Sequence, residues 1–237
     1  MSQGDRERRV AASPRLLAIT ADHGDAARLL DAAARAVNAG ADGIQWRVTA
    51  LSDRRSAETL RQLRRRLPER CCLIVNDRPD LALAVDAHGV HAKSNGLAAG
   101  DVRELVRRVG GEERARAFLL SRAVHRVDEL VAAAADPELD AVTVSPYAAS
   151  PGKTALGHDG FAALLHEARV TSGGGGLPLR WLALGGLGPE HVEDIASLAV
   201  TGERFGLAAI RALGEDGGRA AELAARLGET SDPVGAR

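Results

Sequence analysis

The chain has 237 residues, 45% of them hydrophobic but only 3% aromatic, so a sizeable core is available and must be built from Ala, Val, Leu and Ile. A formal net charge of -1, from 31 Lys+Arg against 32 Asp+Glu, argues against a general pull toward nucleic acid or an anionic membrane. No apolar run reaches the length of a bilayer span, the N-terminus has no apolar signal region, and Cys71 and Cys72 are adjacent, without metal-ligand spacing. A cytoplasmic protein with no nucleic-acid and no membrane partner is therefore expected. A homodimer is one option that the composition leaves open.

Along the chain, residues 1–13 read as a disordered N-terminal tail. Short apolar runs bounded by Gly, Asp or Pro follow, as buried parallel strands require. They are predicted at 16–20, 43–47, 72–76, 89–91, 117–120, 141–145, 181–184 and 205–208. Helical patterns alternate with them at 26–39, 57–67, 80–85, 101–109, 128–135, 161–169, 189–199 and 209–227. Leu29, Leu30, Ala33 and Val37 show the 3.6-residue rhythm of the first of these, and Gly40 stops it. The run SGGGG at 172–176 precedes a strand and reads as a lengthened loop. Residues 228–237 read as a disordered C-terminal tail.

Eight β-then-α units in one row predict an α/β fold, a single (βα)8 TIM barrel over residues 14–227, with an open doubly wound sheet as the alternative. In such a barrel the chemistry sits where strands end and βα loops begin. That rule selects Gln45 and Arg47, Asn76 and Asp77, His91, Ser150 and Lys153, Gly185 and Gly186, and Gly206, Leu207 and Ala208.

Each selected group has a bland and a sharp reading. Gly185 and Gly186 let the backbone approach an anion closely and, with the segment after Gly206, fit the common barrel phosphate site; an ordinary glycine turn competes. Asp77 suits Mg2+ or proton transfer, or the N-cap of the helix after Arg78-Pro79. Gln45 and Arg47 alternate along one strand and point inward, where the arginine requires a carboxylate or a bound phosphate. Lys153 follows Pro151-Gly152 in a loop, either solvated or reaching an anion over the mouth. His91 is either a hydrogen-bonded core residue or a base.

In one order, Gln45-x-Arg47, Asn76-Asp77-Arg78-x-Asp80-Leu81-Ala82, Gly89-Val90-His91, Ser145-Pro146 with Lys153, Leu156-Gly157, Ala183-Leu184-Gly185-Gly186-Leu187 and Gly206-Leu207-Ala208 resemble thiamine phosphate synthase and its paralogue, the thiazole tautomerase. The match runs over about residues 15–215. The resemblance implies a transferase of thiamine biosynthesis that joins an aminopyrimidine diphosphate to a thiazole phosphate and releases pyrophosphate. It implies that Gln45, Arg47 and Asn76 contact the pyrimidine diphosphate, with Arg47 and Lys153 as the catalytic cations, and that Asp77 holds Mg2+. Ser150, in place of a family threonine, and Lys153 would touch the diphosphate and thiazole phosphate. Gly185, Gly186 and the backbone of Gly206, Leu207 and Ala208 would hold the thiazole phosphate. A tautomerase-like enzyme using His91 as its base, or a non-catalytic barrel that binds a phosphorylated ligand, are the alternatives. The chain departs from the pattern at Thr49, where the family has a lysine; at Gly96, where it has a second Mg2+-binding aspartate; at Ala123, where it has a serine; and at Pro146, where the tautomerase has its histidine.

Overall fold

The computed structural model describes residues 3–149, 152, 154–210 and 217–230. Eight parallel strands close a barrel in sequence order: β1 (Leu16–Ile19), β2 (Gly43–Trp46), β3 (Cys72–Asn76), β4 (Gly89–Ala92), β5 (Leu119–Val124), β6 (Ala141–Val144), β7 (Arg180–Leu184) and β8 (Arg204–Ala209), with β1 pairing both β2 and β8. The open sheet is thereby excluded. The helices are α1 (Gln3–Ala12), α2 (Ala26–Asn38), α3 (Asp53–Arg66), α4 (Pro79–Ala84), α5 (Ala99–Ala117), α6 (Val127–Ala135), α7 (Gly157–Thr171), α8 (Val192–Ser197) and, after the segment that is not described, α9 (Gly217–Glu229). No described helix is long and apolar enough to cross a membrane.

Alternation along each strand sorts the side chains into two layers. Outward residues such as Ile44, Trp46, Val90, Val142, Trp181 and Phe205 join the helices in the main core. Inward residues Leu17, Ile19, Ile74, Ala141, Leu182 and Ala208 pack a separate, smaller cluster on the barrel axis. The few aromatics are spent on the outer layer: Trp46, Trp181, Phe118, Phe161 and Phe205 are all fully buried.

Three expectations are corrected. The N-terminal residues are not a tail, because Gln3–Ala12 form α1. Arg9 of α1 is buried, and its Nε donates to Asp140 Oδ1 at 2.7 Å. Arg6 donates to the carbonyls of Leu139, Ala134 and Asp136. Asp140 lies just before β6, so α1 is bound to the N-terminal end of the barrel, opposite the mouth. Second, β5 begins and ends later than predicted, because α5 continues through a kink at Gly111 (φ 82°) to Ala117 and pushes the strand along the chain. Third, β8 runs on to Ala209, where a helix was expected to start. At the other end, α9 reaches Glu229, past the predicted limit at 227, and residues 231–237 lie outside the described residues.

The barrel floor holds a second ion pair, whose carboxylate is buried and whose arginine is partly exposed. Glu203, before β8, is fully buried and accepts from Arg169 Nε at 2.8 Å, Leu177 N at 2.7 Å and Trp181 Nε1 at 3.2 Å. Burial alone would raise its carboxyl, but these donors outweigh it and hold it below the ordinary value.

Candidate functional site

The mouth is built from the last inward residue of each strand and the first of each following loop. On β2, Gln45 sits between Ile19 of β1 and Ile74 of β3 in the ladder and is 1% exposed. Its neighbours Ile44 and Trp46 point to the outer core. Its amide nitrogen has no hydrogen-bond partner among the described residues. An unsatisfied buried donor is unfavourable by roughly 1–3 kcal/mol, so this group is set up for a partner that the described residues do not supply. Arg47, one step beyond the strand, is exposed, with its N–H on the Thr20 hydroxyl at 2.8 Å. Because it stands in solvent at the rim, it does not require the buried counter-charge that an inward arginine would have.

On the next two strands, Asn76 and His91 are partners in the β3–β4 ladder. Asn76 is half-buried and His91 is buried. His91 Nδ1 lies 2.9 Å from Ser121 Oγ on β5, and its Nε2 lies 3.5 Å from Thr143 Oγ1 on β6. Burial pushes the imidazole down to about 4, against a small upward pull from Asp77, so the ring is neutral at physiological pH. Just beyond the ends of β5 and β6, His125 Nδ1 is 3.1 Å from Ser145 Oγ.

Asp77 follows β3 with a left-handed backbone (φ 58°), its N–H on the His91 carbonyl at 2.8 Å. It does not cap α4: the cap position is Arg78, whose guanidinium instead ties Asp80 to Asp53. The Asp77 carboxylate is bound by Lys93 Nζ at 2.7 Å. Two strands back from β3, in the loop after β1, Asp22 gathers the loop after β2, accepting from the N–H groups of Thr49 and Ala50 and from the Thr49 hydroxyl at 2.5 Å.

Gly185 (φ 107°) and Gly186 (φ 61°) close β7 in the left-handed region. A Cβ on Gly186 would stand 2.5 Å from the Ala149 carbonyl oxygen. The loop after β6 lies directly on them, with Tyr147 N–H on Leu184 O and Ala148 N–H on Gly185 O, both at 2.9 Å. Tyr147 is buried edge-on to Phe161 and His191, which fixes that loop. Both glycines are therefore demanded by packing between two mouth loops, whatever ligand they serve.

The third part of the expected phosphate site is displaced. Gly206 is in mid-strand, where a Cβ would come 2.3 Å from the Arg15 carbonyl at the barrel floor. The Leu207 N–H is already given to that carbonyl at 2.7 Å, and the Leu207 side chain joins the outer core. Ala208 packs inside with Leu17 and Leu182. The mouth end of β8 is instead at Ala209–Ile210, and residues 211–216 beyond it lie outside the described residues, as do Ser150 and Lys153.

Ser121 and Thr143 were not singled out from the sequence; Lys93 was placed at the end of β4 without a role, and His125, at a helix start, was expected to be a surface residue, although it lies against Ser145. Ser121 was readable: in Leu119-Leu120-Ser121-Arg122-Ala123 every second residue is inward once the strand is extended.

As for a metal, no group of three His, Cys, Asp or Glu side chains comes together among the described residues. Asp77, the residue named for Mg2+, is a single carboxylate already held by an ammonium group. That donor set does not fit a divalent cation, which takes about six oxygen ligands.

Fold and mouth together define a (βα)8-barrel protein with polar groups gathered at the C-terminal ends of its strands. A family model described as thiamine monophosphate synthase, TMP-TENI, matches residues 16–213, and the chain belongs to this family. The thiamine-phosphate synthase of Methanoculleus marisnigri is 34% identical over 181 residues, covering 76% of each chain. That of Synechococcus sp. (strain CC9311) is 32% identical over 171 residues, which are 71% of this chain and 44% of the relative, so the chain spans less than half the length of some relatives it matches. Among solved structures, a thiamine phosphate pyrophosphorylase from Pyrococcus furiosus superposes with a TM-score of 0.69 at 22% identity, over 94% of this chain and 98% of that one, a likeness of fold.

Proposed function

We propose that this protein is a thiamine phosphate synthase-like transferase. It would join an aminopyrimidine diphosphate to a thiazole phosphate: the pyrimidine methylene–oxygen bond breaks, the thiazole nitrogen bonds that carbon, and pyrophosphate leaves. Family membership supports the reaction class. The observation that carries the assignment to this mouth is the buried, unpartnered Gln45 amide beside Asn76 and below Arg47. Gln45 and Asn76 would hold the pyrimidine. Arg47, exposed at the rim, would neutralise charge on the departing diphosphate, as cations do for developing oxyanions. Lys153 and Ser150 would reach the phosphates from the loop after β6, and Gly185-Gly186 would let the thiazole phosphate approach the backbone. The proposed partners are thus small phosphorylated molecules.

The tautomerase-like alternative asks His91 to accept a proton, and a ring pushed down to about 4 is a weak acceptor at neutral pH. The test is to incubate the purified protein with both substrates and Mg2+ and follow pyrophosphate and thiamine phosphate. No product above background overturns the synthase reading, and tight binding of thiazole phosphate without product would favour a binding barrel.

A further inference from the structure

β3 and β4 are neighbours, with Asn76 opposite His91. Asp77 therefore stands next to the chain that leaves β4, and this chain brings Lys93. Lys93 Nζ is 2.7 Å from Asp77 Oδ2, and the Lys93 N–H is 3.5 Å from Oδ1. The turn is closed by Gly96 N–H on the Lys93 carbonyl at 3.0 Å, and Gly96 lies so close that a Cβ there would be 3.0 Å from Asp77 Oδ1. No second carboxylate reaches this point among the described residues, and the place it would take is filled by a turn that carries a cation.

A metal ion and this ammonium compete for the same carboxylate. Two cations about 4 Å apart repel by several kcal/mol at the effective dielectric of a protein surface, and a divalent ion doubles that. The ammonium has three donors, of which one is taken by Oδ2. The Lys93 side chain is 64% exposed and so remains open to a ligand, while Asp77 is 26% exposed. Arg47 directly follows β2, the other neighbour of β3 in the barrel, so it leaves the wall next to the strand that ends at Asp77.

We infer that Lys93 is the resident cation of this site, standing on Asp77 in place of a divalent metal, and that it receives the diphosphate group together with Arg47 without Mg2+. This rests on the proposed reading for the identity of the ligand as a diphosphate. The test uses inorganic pyrophosphate as the probe, titrated calorimetrically in excess EDTA and again in excess Mg2+, with Mn2+ paramagnetic resonance to detect bound metal directly. The expected result is saturable binding in EDTA, less than about a threefold gain with Mg2+, and no protein-bound Mn2+. Lys93→Gln should weaken binding in EDTA by about tenfold or more, as expected for a lost charge-assisted contact, while Lys93→Arg retains most of it. Circular dichroism checks that both variants are folded. The inference is overturned by no binding in EDTA, by a tenfold or greater gain with Mg2+, by bound Mn2+, or by unchanged affinity in Lys93→Gln. Failure to make thiamine phosphate would count against the proposed reaction and leave these binding results standing.

Discussion

His91 on β4 and Ser121 on β5 face each other across one step of the barrel wall, Nδ1 to Oγ 2.9 Å apart. The contact holds a neutral imidazole beneath a mouth that otherwise carries charge. His88, at the start of β4, is also pushed down to about 4 by burial, its Nδ1 taken by the Leu73 N–H at 2.7 Å.

Stability should therefore fall on acidification. Below pH 6.5 the unfolded chain takes up protons on these rings, whereas the folded chain does not until about pH 4. The loss lies between those values and reaches up to about 3 kcal/mol for His91. Urea midpoints at a series of pH values from 7 to 4.5 measure it, with a shallower slope in His91→Gln. Midpoints that do not move over this range would contradict the assignment.

Gln45→Leu separates folding from binding. The substitution removes a buried donor that has no partner among the described residues, so the folded protein should be unchanged or more stable by about 1 kcal/mol. Affinity for the aminopyrimidine diphosphate should drop by about tenfold or more. Calorimetric melting and ligand titration provide the two readouts. A large fall in Tm would mean that the Gln45 amide serves the fold.

Gly186→Ala places a methyl group against the loop after β6, 2.5 Å from the Ala149 oxygen. It should destabilise by about 1–3 kcal/mol and weaken binding of thiazole phosphate. Gly202→Ala is the control, with a comparable backbone (φ 90°) but nothing within 4 Å of the added carbon. It should carry only the strain, about 1 kcal/mol, and leave ligand affinity unchanged. Equal effects of the two on binding would remove Gly186 from the site.

Glu203→Gln leaves the partly buried Arg169 without its carboxylate partner and the buried Glu203 position without its charge. A loss of about 3–5 kcal/mol is expected. The double variant Arg169→Met with Glu203→Gln should lose less than the sum, which a double-mutant cycle in urea reads directly. Because the Glu203 carboxyl is held below its ordinary value, its contribution is present above pH 4.5 and is lost as the pH falls further.

The sequence made the barrel legible because each unit has its own local signature: a β-branched or leucine-rich run, a loop, then a 3.6-residue rhythm. Elements without such a signature were misread. α1 buries one valine and an arginine whose partner, Asp140, is far away in the chain, so no local pattern marks it. The strand end at Ala209 was hidden by the alanines that follow it, which suit a helix equally well. At the mouth, the residues beyond Gln45 and Asn76 were found by their position at strand ends. Lys93 was placed at a strand end but given no role, because its meaning comes from a partner on the adjacent strand end, and only the register of Asn76 with His91 brings the two together.

The bond between Arg9 and Asp140 spans 131 residues. During synthesis at roughly 5–20 residues per second, α1 leaves the ribosome many seconds before its anchor exists. Until β6 emerges the helix has nowhere to dock, so it should be among the last pieces to set, arriving as a clasp on a barrel already largely wound. A chain that starts after Ser13 would be expected to fold at nearly the same rate and to come apart faster, because the missing contact forms after the main barrier has been crossed.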